Sequence, residues 1–197
     1  APLGVLSAAK LALDNDRLGY TVAMGLPKLR DRIAMYYIEN QGVAIDKENI
    51  VITSGSSCAF ILAFLSAFDV GDRVALTSPG YPAYRNILRA LGVRVIDLLT
   101  TLDTNFQPTW QLLDQYDGEL DGLIIASPSN PTGTMIEKSE LKLLIEYCAS
   151  KSIRVVSDEI YHGITYGQPA TSAALYTPDA IIINSFSKYY SMTGWRL

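Results

Sequence analysis

Short runs rich in Val, Ile and Leu recur at 50–53, 73–77, 93–97, 122–126, 153–157 and 180–184, and the segments between them place apolar residues at helical spacing, at 26–40, 57–68, 81–91, 109–116 and 137–150. An apolar run of about five residues without polar alternation is the pattern of a strand covered on both faces, as in a parallel sheet. Strand patterns alternating with helical ones specify right-handed crossover units, and hence a three-layer α/β/α sandwich with a mainly parallel sheet. The 197 residues, 49% of them hydrophobic, suffice to bury one such core. No internal repeat, low-complexity tract or linker interrupts the pattern, so 1–197 reads as one domain. Both ends look cut: the chain lacks an initiator Met and stops at Leu197 directly after a strongly patterned stretch, as expected of an internal segment of a longer protein.

The formal charge is −4 and the 16 Lys and Arg residues are scattered, without the basic stripe that tracks a phosphate backbone, so nucleic acid is not expected as a partner of this segment. No apolar run approaches the roughly 18 residues of a membrane span. Cys58 and Cys148 each lie in an apolar helical stretch, which favours buried thiols over a disulfide and fits a cytoplasmic location.

Open parallel sheets bind ligands at the carboxyl ends of their strands. Polar and chemically capable residues collect there, at 54–57, 78–81, 127–133, 158–162 and 185–188. In the last of these, Ser185-Phe186-Ser187-Lys188 is followed by Met192-Thr193-Gly194-Trp195-Arg196. Desolvation just past a buried strand end penalises a lysine's charged form, and a neutral amine can attack an aldehyde. The two serines and Arg196 would supply donors to a phosphate dianion. A Ser-x-Ser-Lys tetrapeptide on its own is more often a surface turn.

Other strand ends carry their own candidates. Gly55, Ser56 and Ser57 suit an anion held on backbone N–H groups at a helix N-terminus, or a simple N-cap. Ser78-Pro79-Gly80-Tyr81-Pro82-Ala83-Tyr84 places aromatics where one ring could stack on a flat ligand; Tyr84 reads as packing. Ser127-Pro128-Ser129-Asn130-Pro131-Thr132-Gly133 is a turn by composition. Asp158 ends a buried strand, where a carboxylate needs a partner or caps a helix. Glu159 and His162, the one histidine, read as structural.

Taken together, these motifs resemble the class I and II aminotransferases, of the fold-type I pyridoxal-phosphate group, in the family's order from about Tyr20 to Arg196. The resemblance implies pyridoxal 5′-phosphate as cofactor, held as an imine by Lys188, with Asp158 on the pyridine nitrogen and Asn130 and Tyr161 on the phenolic oxygen. It places Tyr81 in the stacking position and Gly55, Ser56, Ser57, Ser185, Ser187 and Arg196 around the phosphate. Tyr20, in the stretch Tyr20 to Arg30, would reach the phosphate of a partner subunit, which implies a homodimer. The implied reaction is ping-pong transamination between an amino acid and a 2-oxo acid, in which the freed Lys188 amine moves a proton between the substrate Cα and C4′ of the cofactor. No metal is implied. A small C-terminal domain, absent from these residues, would grip the substrate carboxylate. A further antiparallel strand, beyond the Lys188 region, would fall between two strands that are present and leave a gap in the sheet. Carbon-sulfur lyases, aminocyclopropanecarboxylate synthases and acyl-transferring synthases share the motifs. So does the effector domain of some transcription regulators, and a cofactor-free structural domain is a further alternative.

Overall fold

The protein is described by a computed structural model that covers residues 1–15 and 19–197. Five parallel strands, β1 (Arg73–Ser78), β2 (Arg94–Leu99), β3 (Gly122–Ala126), β4 (Arg154–Asp158) and β5 (Ile181–Ile183), form one sheet in the order β2-β1-β3-β4-β5. Six α-helices are described: α1 (Leu3–Asn15), α2 (Pro27–Gln41), α3 (Ser56–Ala67), α4 (Pro82–Ala90), α5 (Trp110–Asp114) and α6 (Lys138–Ser150).

The apolar runs show no alternation because both faces of the sheet are covered. Val74 and Leu76 of β1, Ile124 of β3, Val156 of β4 and Ile183 of β5 pack with Phe60, Phe64 and Phe68 from α3 and its end, and with Tyr84 and Leu88 of α4. Their strand neighbours Ala75, Leu123, Ile125 and Val155 face the other way, onto Leu113 of α5 and Leu141, Leu144, Ile145 and Cys148 of α6. Buried residues at spacings of three and four on α3 and α6 form the stripe each helix turns to the sheet. Full burial of one such aliphatic or aromatic side chain is worth about 1.5–3 kcal/mol. Gly122 has to be glycine for a packing reason: a Cβ there would collide with the Phe68 ring.

Two expectations are corrected. The run 50–53 is not a sheet strand. Ile50 is extended, but the backbone N–H of Ile52 donates to Met24 O at 3.0 Å, and the run joins no ladder. A strand exists only through its pairing, and the exposed edge of β5 is not matched to this segment. The run is held in place from the side: Arg30 of α2, 5% exposed, donates to Lys47 O and to the Glu48 carboxylate, and so pins the 47–49 turn. The second correction is α1, a helix absent from the sequence reading, which buries none of its residues.

Along the sheet the chain steps from β1 outward to β2, then crosses back to β3 on β1's other side. That reversal opens a crevice beyond the carboxyl ends of β1 and β3, where open α/β sheets hold their ligands.

Candidate active site

The crevice is lined by Gly80, Tyr81 and Tyr84 from the β1–α4 connection and by Ser129 and Asn130 after β3. Tyr81 is half-exposed and stands edge-on to Tyr84, with centroids 5.3 Å apart and planes at 76°. Pro82 opens α4, and the helical spacing from 81 to 84 turns both rings toward the strand ends.

Asp158, at the last position of β4, is 5% exposed. Its Oδ1 accepts the Ile160 N–H at 3.0 Å, and its Oδ2 accepts the Tyr84 hydroxyl. Burial pushes its carboxyl up from the usual carboxylate range, with the two hydrogen bonds and the nearby Lys188 charge acting against that rise. Burial and the Asp158 charge likewise push the Tyr84 phenol far up. Tyr84 packs in the core as expected, and its hydrogen bond to the Asp158 carboxylate is what sequence reasoning missed. Its signal was present only as an aromatic three residues beyond Tyr81, and nothing in the sequence linked it to a carboxylate 74 positions away.

Lys188 follows β5, with its Nζ 5.7 Å from the centre of the Tyr161 ring. The residue is exposed, where burial was expected from its position just past a strand end. Its neighbour Ser187 is buried, at 6% exposure.

An anion cradle lies at the N-terminus of α3. Gly55 caps the helix at φ +78 with no side-chain hydrogen bond to the first turn, which leaves the N–H groups of the Ser56 and Ser57 turn open. A Cβ on Gly55 would strike the Arg196 guanidinium, so the glycine is what lets the arginine lie against the loop. Arg196 also donates to Thr193 O at 2.9 Å. Ser185 Oγ donates to Leu197 O at 2.6 Å, accepts the Ser187 N–H at 3.0 Å and lies 2.9 Å from Ser187 Oγ. Gly55, Ser56, Ser57 and Arg196 are thus brought together, as are Ser185 and Ser187, and Asp158 with Lys188. Tyr20 is fully exposed and stands apart from these groups. Of the two thiols, Cys148 is buried as expected and burial pushes it up to about 12; Cys58 is only half-buried, which corrects the expectation.

Residues 2–197 match the family model "Aminotransferase class I and II". The chain belongs to the class I and II aminotransferases. It is 52% identical over 199 residues to a valine–pyruvate aminotransferase of Mycobacterium tuberculosis, a match that covers 100% of this chain and 51% of the relative. It is 34% identical to a probable aspartate aminotransferase of Methanocaldococcus jannaschii, covering 100% of this chain and 52% of that one. Its fold superimposes with a TM-score of 0.96 on the crystal structure of an aminotransferase from Mycobacterium tuberculosis, at 51% identity, covering 100% of this chain and 51% of that structure. The corresponding values for the Thermus thermophilus aspartate aminotransferase with maleate are 0.94 and 29%, over 99% of this chain and 52% of that structure. The chain spans about half the length of these relatives.

Aminotransferases of this family depend on pyridoxal phosphate, and the donor set here fits that group. A phosphate dianion matches an uncapped helix N-terminus beside a guanidinium. Among the described residues the buried Asp158 carboxylate has hydrogen bonds but no ion pair, and a protonated ring nitrogen would supply one. Among the described residues no helix is long and apolar enough to cross a membrane, and no group of His, Cys, Asp and Glu could hold a metal ion.

Proposed function

We propose that this chain is the cofactor-binding part of a pyridoxal-phosphate-dependent aminotransferase that moves an amino group between an amino acid and a 2-oxo acid. The observation that carries the reading is the gathering, at one end of one sheet, of an exposed amine on Lys188, a buried carboxylate on Asp158 and the Gly55–Arg196 cradle. When bound, the cofactor supplies an electron sink that takes up the negative charge developing at the amino acid's α carbon. Asp158, buried and already oriented by Tyr84 and the Ile160 N–H, holds the proton on the ring nitrogen that keeps the sink effective. Asn130 and Tyr161 would donate to the phenolic oxygen, and the half-exposed Tyr81 ring is free to stack on the cofactor ring. Gly55, Ser56, Ser57, Ser185, Ser187 and Arg196 fix the phosphate. Lys188 Nζ would be the catalytic amine, holding the cofactor and, when free of it, taking and returning the proton of the amino acid's α carbon.

Tyr20, fully exposed in a single chain, is assigned to the partner subunit's phosphate in a homodimer. A cytoplasmic location accords with two free cysteines. Residues 1–197 form an incomplete large domain of the parent protein, and the substrate carboxylate would be gripped from a small C-terminal domain. The 52% identity to a valine–pyruvate aminotransferase makes valine and pyruvate the first donor and acceptor to try.

The test supplies the full-length parent protein with pyridoxal phosphate, valine and pyruvate and follows alanine. Alanine should accumulate, and Lys188→Ala should reduce the rate by at least about 10²-fold, the lower end of what a positioned acid-base group contributes. Release of ammonia and pyruvate from an amino acid, without dependence on an oxo acid, would instead identify a lyase.

A further inference from the structure

The turn that follows β4 buries two ionisable side chains that the proposed reaction does not use. Glu159 is 1% exposed and His162 is 4% exposed. Glu159 Oε1 accepts three hydrogen bonds, from Ser157 Oγ at 3.2 Å, Ser172 Oγ at 2.9 Å and the Ala173 N–H at 2.9 Å. Its other oxygen, Oε2, is fully buried and has no hydrogen-bond partner. The nearest polar atom that pairs with it is His162 Nδ1 at 3.6 Å, a few tenths of an ångström beyond hydrogen-bond range.

The far side of the imidazole fixes what that near contact is. His162 Nε2 lies 3.0 Å from Ser127 O, and a carbonyl oxygen only accepts, so Nε2 carries a hydrogen. In the neutral ring Nδ1 is then a bare lone pair aimed at Oε2. Two lone pairs facing each other in a dry interior repel, and an orphaned buried oxygen costs free energy. One proton placed between them satisfies both atoms at once.

The same residues close a ring around the strand ends that carry the site. The Ser127 N–H donates to Asp158 O at 3.4 Å, and Ser127 O accepts from His162. The His162 N–H donates to Glu159 O at 3.0 Å, and the Glu159 N–H donates to Ile183 O at 2.8 Å. Asp158 precedes Glu159 directly, and Ser127 opens the turn that carries Asn130.

We propose that Glu159 and His162 share one proton between Oε2 and Nδ1, and that this bridged pair is a positioning device holding the Asp158 turn and the Asn130 turn at a fixed separation. It rests on the reading that Asp158 and Asn130 bind the cofactor ring. Burial pushes the Glu159 carboxyl up to about 7 and the His162 imidazole down to about 4, which favours the neutral acid donating to the neutral ring over an ion pair. The titratable groups facing Glu159 are Asp158, whose charge raises it further, and Tyr36 and Tyr37 of α2. Among the described residues no lysine or arginine pairs with it.

Glu159→Gln tests the bridge, because a glutamine amide donates to Nδ1 at every pH and still accepts from Ser157, Ser172 and Ala173. Infrared difference spectra of the full-length apoprotein, wild type against Glu159→Gln, should show one buried carboxylic-acid carbonyl band below pH 7 that fades as pH rises through about 7. Absence of that band below pH 7 would overturn the shared proton. In the same proteins, the dissociation constant for pyridoxal phosphate should rise several-fold across that pH range in wild type, relative to a Glu159→Gln variant that lacks this component. Parallel pH profiles in the two would overturn the positioning role. If neither protein bound the cofactor, the proposed function would fall and the positioning role with it, whereas the infrared band would still decide where the proton sits.

Discussion

Tyr84→Phe removes the hydroxyl that Asp158 accepts and leaves a buried carboxylate with one hydrogen bond. Hydrogen bonds to charged groups are worth about 1.5–3 kcal/mol, so the variant should lose stability of that order in urea unfolding. The loss should shrink when pyridoxal phosphate is present, because the ring nitrogen then supplies the missing donor; an equal loss with and without cofactor would separate Tyr84 from the site. Gly55→Ala puts a Cβ into the Arg196 guanidinium at a φ that L residues avoid. It should cost about 1–3 kcal/mol of strain and weaken phosphate binding, as measured by cofactor titration. His162→Gln bears on pH. The depressed His162 pKa makes stability rise with pH between about 4 and 6.5, where the unfolded chain binds the extra proton. The raised Glu159 pKa makes stability fall between 4.5 and about 7, where the folded chain does. The two slopes offset in wild type. Without His162 the falling limb is exposed, and urea midpoints should drop as pH rises from 4.5 to 7, by up to about 3 kcal/mol. The positions of Lys188 and Asp158 just at or past strand ends were legible, because the apolar runs before them mark those ends. The Tyr84 hydrogen bond was not, since its partner is set by how β1 and β4 are placed in the sheet. The exposure of Lys188 also lay outside what a strand end implies.

At the scale of elements, the apolar runs that became β1 to β5 were legible from composition, since a strand buried on both faces has little choice of residue. The 50–53 run has the same composition and is no strand, because pairing depends on a neighbour and composition does not report one. Helix α1 escaped for a related reason. It buries nothing, so it carries no one-sided stripe, and its Leu and Ala content is helix-forming without being amphipathic. Helix α6 is the opposite case, with Leu141, Leu144, Ile145 and Cys148 all buried against β3 and β4. Leu144→Ala, at 1% exposure, should cost about 2–5 kcal/mol by urea unfolding, while the exposed Leu143 tolerates the same change at a fraction of that.

For the whole molecule, the sequence specified the layers and the ligand-bearing edge but not the strand order β2-β1-β3-β4-β5, which fixes where the crevice opens. Order follows from which crossovers pack, a long-range matter that local patterns do not encode. An unpacked α1, with Leu3, Leu11 and Leu13 exposed, and a 50–53 run that joins no ladder and exposes Val51 leave apolar surface without partners among the described residues. These 197 residues expressed alone should therefore melt broadly and bind a hydrophobic dye; a sharp cooperative melt at an ordinary mesophile temperature would contradict that.

The most direct measurement of the central claim is borohydride reduction of the full-length parent protein loaded with pyridoxal phosphate, followed by peptide mapping beside Lys188→Ala. The account predicts a visible absorption band that reduction abolishes, a single modified peptide containing Lys188, and neither in the variant. Cofactor fixed to another lysine, or no band in the wild type, would contradict it.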